Sequence, residues 1–103
     1  MGQDGTSPGG EVYRRPALTV DGVVLVRRGA AAPLVLLIER GREPFRGSLA
    51  LPGGFVDYGE DVEHAIHREI AEETGLRDLA FRQFRTYGAP GRDPRGHTVS
   101  VVY

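Results

Sequence analysis

Apolar residues in this chain form short runs separated by glycine, proline and charged residues. Runs rich in branched and aromatic side chains predict strands at residues 17–27, 34–39, 49–51, 80–87 and 97–103. The intervening segments predict a turn and two loops, at residues 29–33, 41–48 and 88–96. Residues 1–11 are polar and rich in glycine, which predicts a disordered tail ahead of a single domain over residues 12–103.

The apolar spacing changes to a helical one between residues 60 and 74. The stripe that faces the core consists of Val62, Ile66 and Ile70. Gly75 follows it, and a glycine here favours the left-handed residue that ends a helix. Asp57 and Gly59 are the two candidates for the N-terminal cap.

This helix carries more acid than a buried helix normally tolerates. Glu73 falls on the apolar stripe, and Glu69 and Glu72 flank it on one side. Carboxylates so close together repel one another unless a cation lies among them, and Mg²⁺ prefers oxygen ligands. A metal site is one interpretation, and a solvated acidic face with Glu72 paired to Arg68 is the other.

Composition limits the partners. The 103 residues contain 13 basic and 14 acidic side chains, for a formal charge of −1, so we expect neither nucleic acid nor an anionic membrane as a partner. No cysteine is present, and no apolar stretch reaches membrane-spanning length. These features favour a cytoplasmic protein with a small-molecule partner.

The spacing of the glycines and charged residues in and before the helix is itself a motif. It comprises Gly54, Glu60, Arg68, Glu69, Ile70, Glu72, Glu73, Gly75 and Leu76. With these residues the chain resembles the Nudix hydrolases. The resemblance implies an α/β fold, a mixed β-sheet sandwiched between α-helices. Because the chain stops at Tyr103, in what should be a central strand, we expect the C-terminal strand and closing helix of that fold to be missing.

The same resemblance implies a chemistry. Nudix hydrolases cleave a nucleoside diphosphate linked to another moiety, by attack of water on a phosphorus. It implies Mg²⁺, with Mn²⁺ as a substitute, bound by Glu69, Glu73, Glu72 and the carbonyl of Gly54. Arg68 would orient these carboxylates, and Glu60 is expected to be structural.

The general base is the open point of this chemistry. Some relatives use a glutamate of the helix and others an acid on a later loop, but no Asp or Glu follows Asp93. If the chain is complete, the base must be Glu69, a residue of a partner subunit, or water on the metal alone.

Two segments, residues 14–21 and 87–97, resemble bacterial and archaeal ADP-ribose pyrophosphatases. They favour ADP-ribose as substrate, with other nucleotide sugars, dinucleotides and nucleoside triphosphates as alternatives. The expected substrate contacts are Arg40, Phe45, Arg92 and Arg95. A guanidinium pairs two phosphate oxygens at once, and a phenyl ring can stack on a base.

A function without catalysis is the remaining alternative. Nudix domains also occur as ADP-ribose sensors in transcriptional regulators, where the motif is often eroded. Here every polar and glycine position of the motif is intact, which favours an enzyme. An open edge of the shortened sheet would favour a homodimer.

Overall fold

The computed structural model describes residues 13–103, so the disordered tail predicted for residues 1–11 lies outside the described residues. The strands are β1 Ala17–Asp21, β2 Leu25–Val26, β3 Leu34–Val35, β4 Ile38–Glu39, β5 Leu49–Ala50, β6 Gly53–Phe55, β7 Arg85–Tyr87 and β8 Thr98–Val102. The helix α1 covers Val62–Thr74. Within residues 13–103, no helix is long and apolar enough to cross a membrane.

Four strands form a mixed sheet in the order β6-β1-β8-β7. Strand β1 runs parallel to β8 and antiparallel to β6, and β7 runs antiparallel to β8. Two further ladders pair β2 with β3 and β4 with β5. The predicted α/β fold with a mixed sheet is confirmed. One helix, α1, lies within the described residues, where it packs against β1 and β6.

The hydrophobic core lies between this sheet and α1. Val20 and Val101 come from the two central strands, and Ile66 and Ile70 come from the helix stripe predicted above. Val20 and Ile66 are 0% exposed. Gly22 lets the chain pass close to the helix, because a Cβ there would lie 2.7 Å from Cδ1 of Ile70.

The opposite face of the sheet is polar at its centre. Side chains alternate along a strand, so Thr19 and Asp21 point away from α1 while Val20 points toward it. Thr19 is paired in register with Phe55 of β6 and with Ser100 of β8, and its Oγ1 lies 2.7 Å from Oγ of Ser100. We call this the far face, defined by Thr19, Asp21, Phe55 and Ser100.

Helix α1 ends as predicted but begins elsewhere. Gly75 adopts φ 78°, and its N–H bonds the carbonyl of Ala71 at 2.9 Å. The N-cap is Asp61, whose carboxylate accepts a 2.9 Å bond from the N–H of Glu63. The proposed caps Asp57 and Gly59 were therefore wrong, because Asp61 lies nearer to the apolar stripe and satisfies the free N–H itself.

The strand predictions were correct in position and too long in extent. The run at 17–27 divides into β1 and β2, and the run at 34–39 divides into β3 and β4, which belong to different ladders. Only the last three residues of the run at 80–87 form a strand. Strand β6 was missed, since Gly53 and Gly54 have low strand propensity and pair only because β1 lies beside them.

Candidate functional site

Arg68 hydrogen-bonds several of the motif glutamates. Its Nε donates to Oε2 of Glu60 at 2.6 Å, and its Nη2 donates to Oε1 at 2.9 Å. Its Nη1 donates to Oε1 of Glu69 and to Oε1 of Glu72, both at 2.9 Å. Nη2 also reaches the carbonyl of Phe55 at 3.1 Å, which joins the helix to the edge of β6. One guanidinium thus orients three carboxylates.

Glu60 is the buried partner of this arginine. Its side chain is 9% exposed, and it accepts further bonds from the N–H of Asp57 at 3.0 Å and from Nδ1 of His64 at 2.7 Å. The bond from Arg68 lowers the pKa of Glu60 to about 2, although burial acts in the opposite direction. Glu60 also raises the pKa of Arg68. The pair is therefore charged at every physiological pH.

Glu69 packs on the backbone of Gly54. A Cβ at residue 54 would lie 2.6 Å from the carboxyl carbon and from both oxygens of Glu69, so only glycine leaves room for this carboxylate. Burial raises the pKa of Glu69, the bond from Arg68 opposes that rise, and Glu73 and Glu72 add to it. Glu69 is thus held partly out of water at the edge of β6.

Glu73 is held by the neighbouring glycine. The N–H of Gly53 donates to Oε1 of Glu73 at 2.6 Å. The pairing of β6 with β1 explains why the N–H of Gly53 points toward Glu73. Gly22 N–H bonds the Pro52 carbonyl at 2.8 Å, and Val56 N–H bonds the Leu18 carbonyl at 3.0 Å, so residues 52, 54 and 56 face β1. The backbone groups of Gly53 and Phe55 therefore point outward, toward the carboxylates of α1.

Asp21 lies on the other side of Gly53, on the far face. A Cβ at residue 53 would overlap the carbonyl of Val20 and lie 2.6 Å from Oδ1 of Asp21. Burial raises the pKa of Asp21 to about 6; Arg92 and Arg95 lower it, while Glu73 and Glu69 raise it further. Sequence reasoning missed both residues, although an acid inside a branched strand and a doubled glycine were the available signals.

Arg92 ties the loop at 88–97 to the sheet. Its Nη2 donates to Oγ of Ser100 at 2.8 Å, to the carbonyl of Thr98 at 3.1 Å and to that of Tyr87 at 3.4 Å. All three bonds come from Nη2, and none of them involves Nε or Nη1. Arg92 is thus fixed against the sheet, and its predicted contact with a phosphate stays a prediction.

Arg95, from the same loop, lies at the edge of the sheet. Its Nη2 donates to Oδ2 of Asp93 at 2.7 Å, and its Nε donates to Oδ1 at 3.1 Å. The guanidinium carbon lies 5.2 Å from the ring centre of Phe55. The bond from Arg95 lowers the pKa of Asp93 to about 2. Arg95 is 40% exposed in its side chain, so it is fixed in place and still accessible.

Arg40 and Phe45 belong to a separate loop. Arg40 Nε donates to the carbonyl of Pro44 at 2.8 Å, which closes the loop on itself. Phe45 has φ 68° and is 59% exposed. Among the described residues no hydrogen bond or ion pair connects either side chain to α1. The structure thus does not join these two candidates to the carboxylates.

The donor set fits a hard divalent cation in its chemistry. Three motif glutamates share one arginine, Glu73 accepts the N–H of Gly53, and the backbone of β6 adds an outward carbonyl beside them. Gly54 leaves the space that the Glu69 carboxylate occupies. Within residues 13–103, no three His, Asp or Glu side chains converge on one point, and Arg68 and the N–H of Gly53 bond the motif carboxylates instead.

Comparison with known proteins places the described residues in a known family. The family model described as NUDIX domain matches residues 15–103. An ADP-ribose pyrophosphatase from Methanocaldococcus jannaschii is 47% identical over 92 residues, covering 89% of this chain and 52% of that protein. The ADPR responsive transcriptional repressor NtrR from Acinetobacter baylyi is 38% identical over 94 residues, covering 88% of this chain and 37% of the repressor.

A solved structure shows the same fold. The NUDIX domain of Shewanella oneidensis NrtR, in a cocrystal with ADP ribose, superposes with a TM-score of 0.83 at 35% identity. The match covers 94% of this chain and 62% of that one. The chain spans about half the length of the archaeal relative and just over a third of that of the repressor.

Proposed function

This chain belongs to the Nudix family, and we propose that it is a Mg²⁺-dependent pyrophosphohydrolase that converts ADP-ribose to AMP and ribose 5-phosphate. The observation that carries the proposal is the set of carboxylates that Arg68 and β6 present at one end of α1. The similarity to an archaeal ADP-ribose pyrophosphatase supports the choice of substrate. We propose a cytoplasmic protein that binds a nucleotide and acts alone or as a homodimer.

The metal ligands in this proposal are Glu69, Glu72 and Glu73, with one backbone carbonyl. We assign that carbonyl to Gly53 rather than to Gly54, because the ladder turns the groups of Gly54 toward β1 and those of Gly53 outward. Bound Mg²⁺, or Mn²⁺ in its place, would neutralise phosphate oxygens and acidify the attacking water.

Other roles in the proposed reaction belong to residues that orient the ligands, accept a proton or contact the substrate. Arg68 orients Glu69 and Glu72 through its Nη1. Glu69 is the best candidate for the general base, since burial raises its pKa and so makes its carboxylate a stronger base. Arg95 supplies the accessible cation for a phosphate, and Phe45 an exposed ring for a base.

We test the proposal by measuring Mg²⁺-dependent hydrolysis of ADP-ribose beside nucleotide sugars, dinucleotides and triphosphates. We expect Glu73→Gln to lower kcat by about 100-fold or more, because a neutral amide is a poor ligand for a hard cation. The matched control is Glu63→Gln, an exposed acid in the first turn of the same helix, which should retain activity. Full activity in Glu73→Gln would contradict the proposed ligand set.

An ADP-ribose sensor is the second candidate. The resemblance to the repressor NtrR, at 38% identity, favours it. Specific binding of ADP-ribose without turnover, in both the wild type and Glu73→Gln, would identify a sensor and exclude the hydrolase.

A further inference from the structure

Asp21 has a property that the proposed chemistry does not use. Its carboxylate is half-buried on the far face, over Gly53, and Oδ1 lies 2.6 Å from the position of a Cβ on that glycine. Within residues 13–103 no donor makes a hydrogen bond to it. No buried side-chain oxygen or nitrogen of the described residues lacks a partner, so the carboxylate oxygens of Asp21 reach solvent. The carboxylate therefore has no donor from the protein and is open to a donor from a ligand.

Asp21 lies between the two charged groups of the site. On one side of Gly53, in the plane of the sheet, Glu73 accepts the N–H of that glycine. On the far face, Phe55 is two residues along the strand from Gly53 and carries the guanidinium of Arg95 over its ring. Arg95 and Asp21 are close enough that each shifts the pKa of the other toward its charged form.

We infer that the far face beside Gly53 binds the sugar of the substrate, where Asp21 accepts hydrogen bonds from sugar hydroxyls and Arg95 contacts an adjoining phosphate. The inference rests on the proposed function, because it concerns the same substrate. It makes Asp21 a residue that determines specificity for nucleoside diphosphates joined to a sugar.

Charge decides between a sugar and a further phosphate at this position. A phosphate over Gly53 would meet Asp21, Glu73 and Glu69, all of which are acidic. The charge of Arg92 lowers the pKa of Asp21, but it acts against three carboxylates and its Nη2 already donates to Ser100 and to two carbonyls. A hydroxyl brings no charge and can donate to Asp21, which has no donor from the protein. The site should therefore reject a nucleoside triphosphate and accept a nucleotide sugar.

The test compares the binding of two hydrolysis-resistant ligands with Mg²⁺ present: the α,β-methylene analogues of ADP-ribose and of ADP. They share both phosphates and differ in the terminal ribose, so calorimetry on the whole chain measures what this sugar contributes. The wild type should prefer the ADP-ribose analogue by about tenfold or more, as expected for hydrogen bonds to a charged acceptor. Asp21→Ala should remove this preference. Asp21→Asn keeps one acceptor oxygen and should lower it several-fold.

Two further variants separate the roles. Arg95→Gln should weaken both analogues by a similar factor, because the phosphates are common to them. Asp78→Asn removes an exposed acid that makes no contact with the far face, and should leave both affinities unchanged. Thermal melting of each variant establishes that it is folded.

The outcomes are separable. If the wild type binds the two analogues equally, or if Asp21→Asn retains the full preference, the inference is wrong, whether or not the protein hydrolyses ADP-ribose. If the preference exists and depends on Asp21, but ADP-ribose and the other substrates tested are not hydrolysed, the sugar site is supported and the proposed hydrolase activity is wrong.

Discussion

The two faces of the sheet differ in what they bury. Toward α1, the central strands present Val20 and Val101, which pack on Ile66 and Ile70. Away from α1, the same two strands present Thr19, Asp21 and Ser100, and polar contacts replace apolar ones. Because adjacent residues supply both faces, a single strand of five residues carries a stabilising row and a polar row.

The difference indicates a division of labour. Apolar burial gives most of the free energy of folding, and a hydrogen bond gives much less in net terms. The face toward α1 should therefore hold the fold, whereas the far face contributes little stability and is free to carry recognition. Substitutions on each face test this division.

The largest expected effect is on the core side. Ile66→Ala should lower the free energy of unfolding by about 3 kcal/mol, because it opens a cavity at a fully buried position. The melting temperature should fall by about 15 °C. Thr19→Val, the matched change on the far face, loses only the hydroxyl pair with Ser100 and should cost about 1 kcal/mol. Equal losses in thermal melts would show that the two faces do not differ in this way.

Arg68 connects the edge of β6 to the helix, and its removal should have the next largest effect. Arg68→Met leaves Glu60 with a buried charge, and we expect a loss of about 2 kcal/mol. Since folding lowers the pKa of Glu60 to about 2, this stability is present above the unfolded pKa of 4.5 and is lost as the pH falls toward 2. Urea unfolding at pH 7 and pH 3 should find a smaller difference between wild type and variant at pH 3. A difference that is the same at both pH values would argue against this pairing.

The last effect, at Asp21 on the far face, has the opposite sign. Folding raises the pKa of Asp21 from 3.8 to about 6, so ionising this carboxyl costs stability as the pH rises through that range. Asp21→Asn should therefore stabilise the protein by about 2 kcal/mol at pH 8 and have little effect below pH 4. Melts in EDTA measure this, with Asp78→Asn as control. Stabilisation that does not depend on pH would exclude the charge of Asp21 as its cause.

Much of the fold could be predicted because local patterns determine it. The 3.6-residue spacing of Ile66 and Ile70 gave the helix, and Gly75 gave its end. The mixed sheet came from a family resemblance, since strand order depends on distant contacts that no local pattern contains. Strand β6 was missed for the same reason: its two glycines pair only in the presence of β1.

The site could be predicted where a motif fixes the spacing, and less well elsewhere. Glu69, Glu72 and Glu73 lie on one helix, so their proximity followed from periodicity. Arg92 and Arg95 both looked suited to phosphate, but only the folded loop reveals that Ser100 engages one while Asp93 and Phe55 present the other. The position of Asp21 beside Gly53 could not be predicted, because it depends on the register of β1 against β6, which a single sequence does not contain.

Arg68 also has a consequence for how the protein is made. Many small metal sites are disordered until their ion arrives, because nothing else offsets the repulsion among the ligands. Here a covalently attached cation already lies among Glu60, Glu69 and Glu72. We expect the helix to form on a freshly synthesised chain whatever the supply of metal, and an incoming ion to compete with an arginine rather than to rescue an unfolded segment. Chelators should then silence the proposed activity reversibly and leave the melting temperature nearly unchanged.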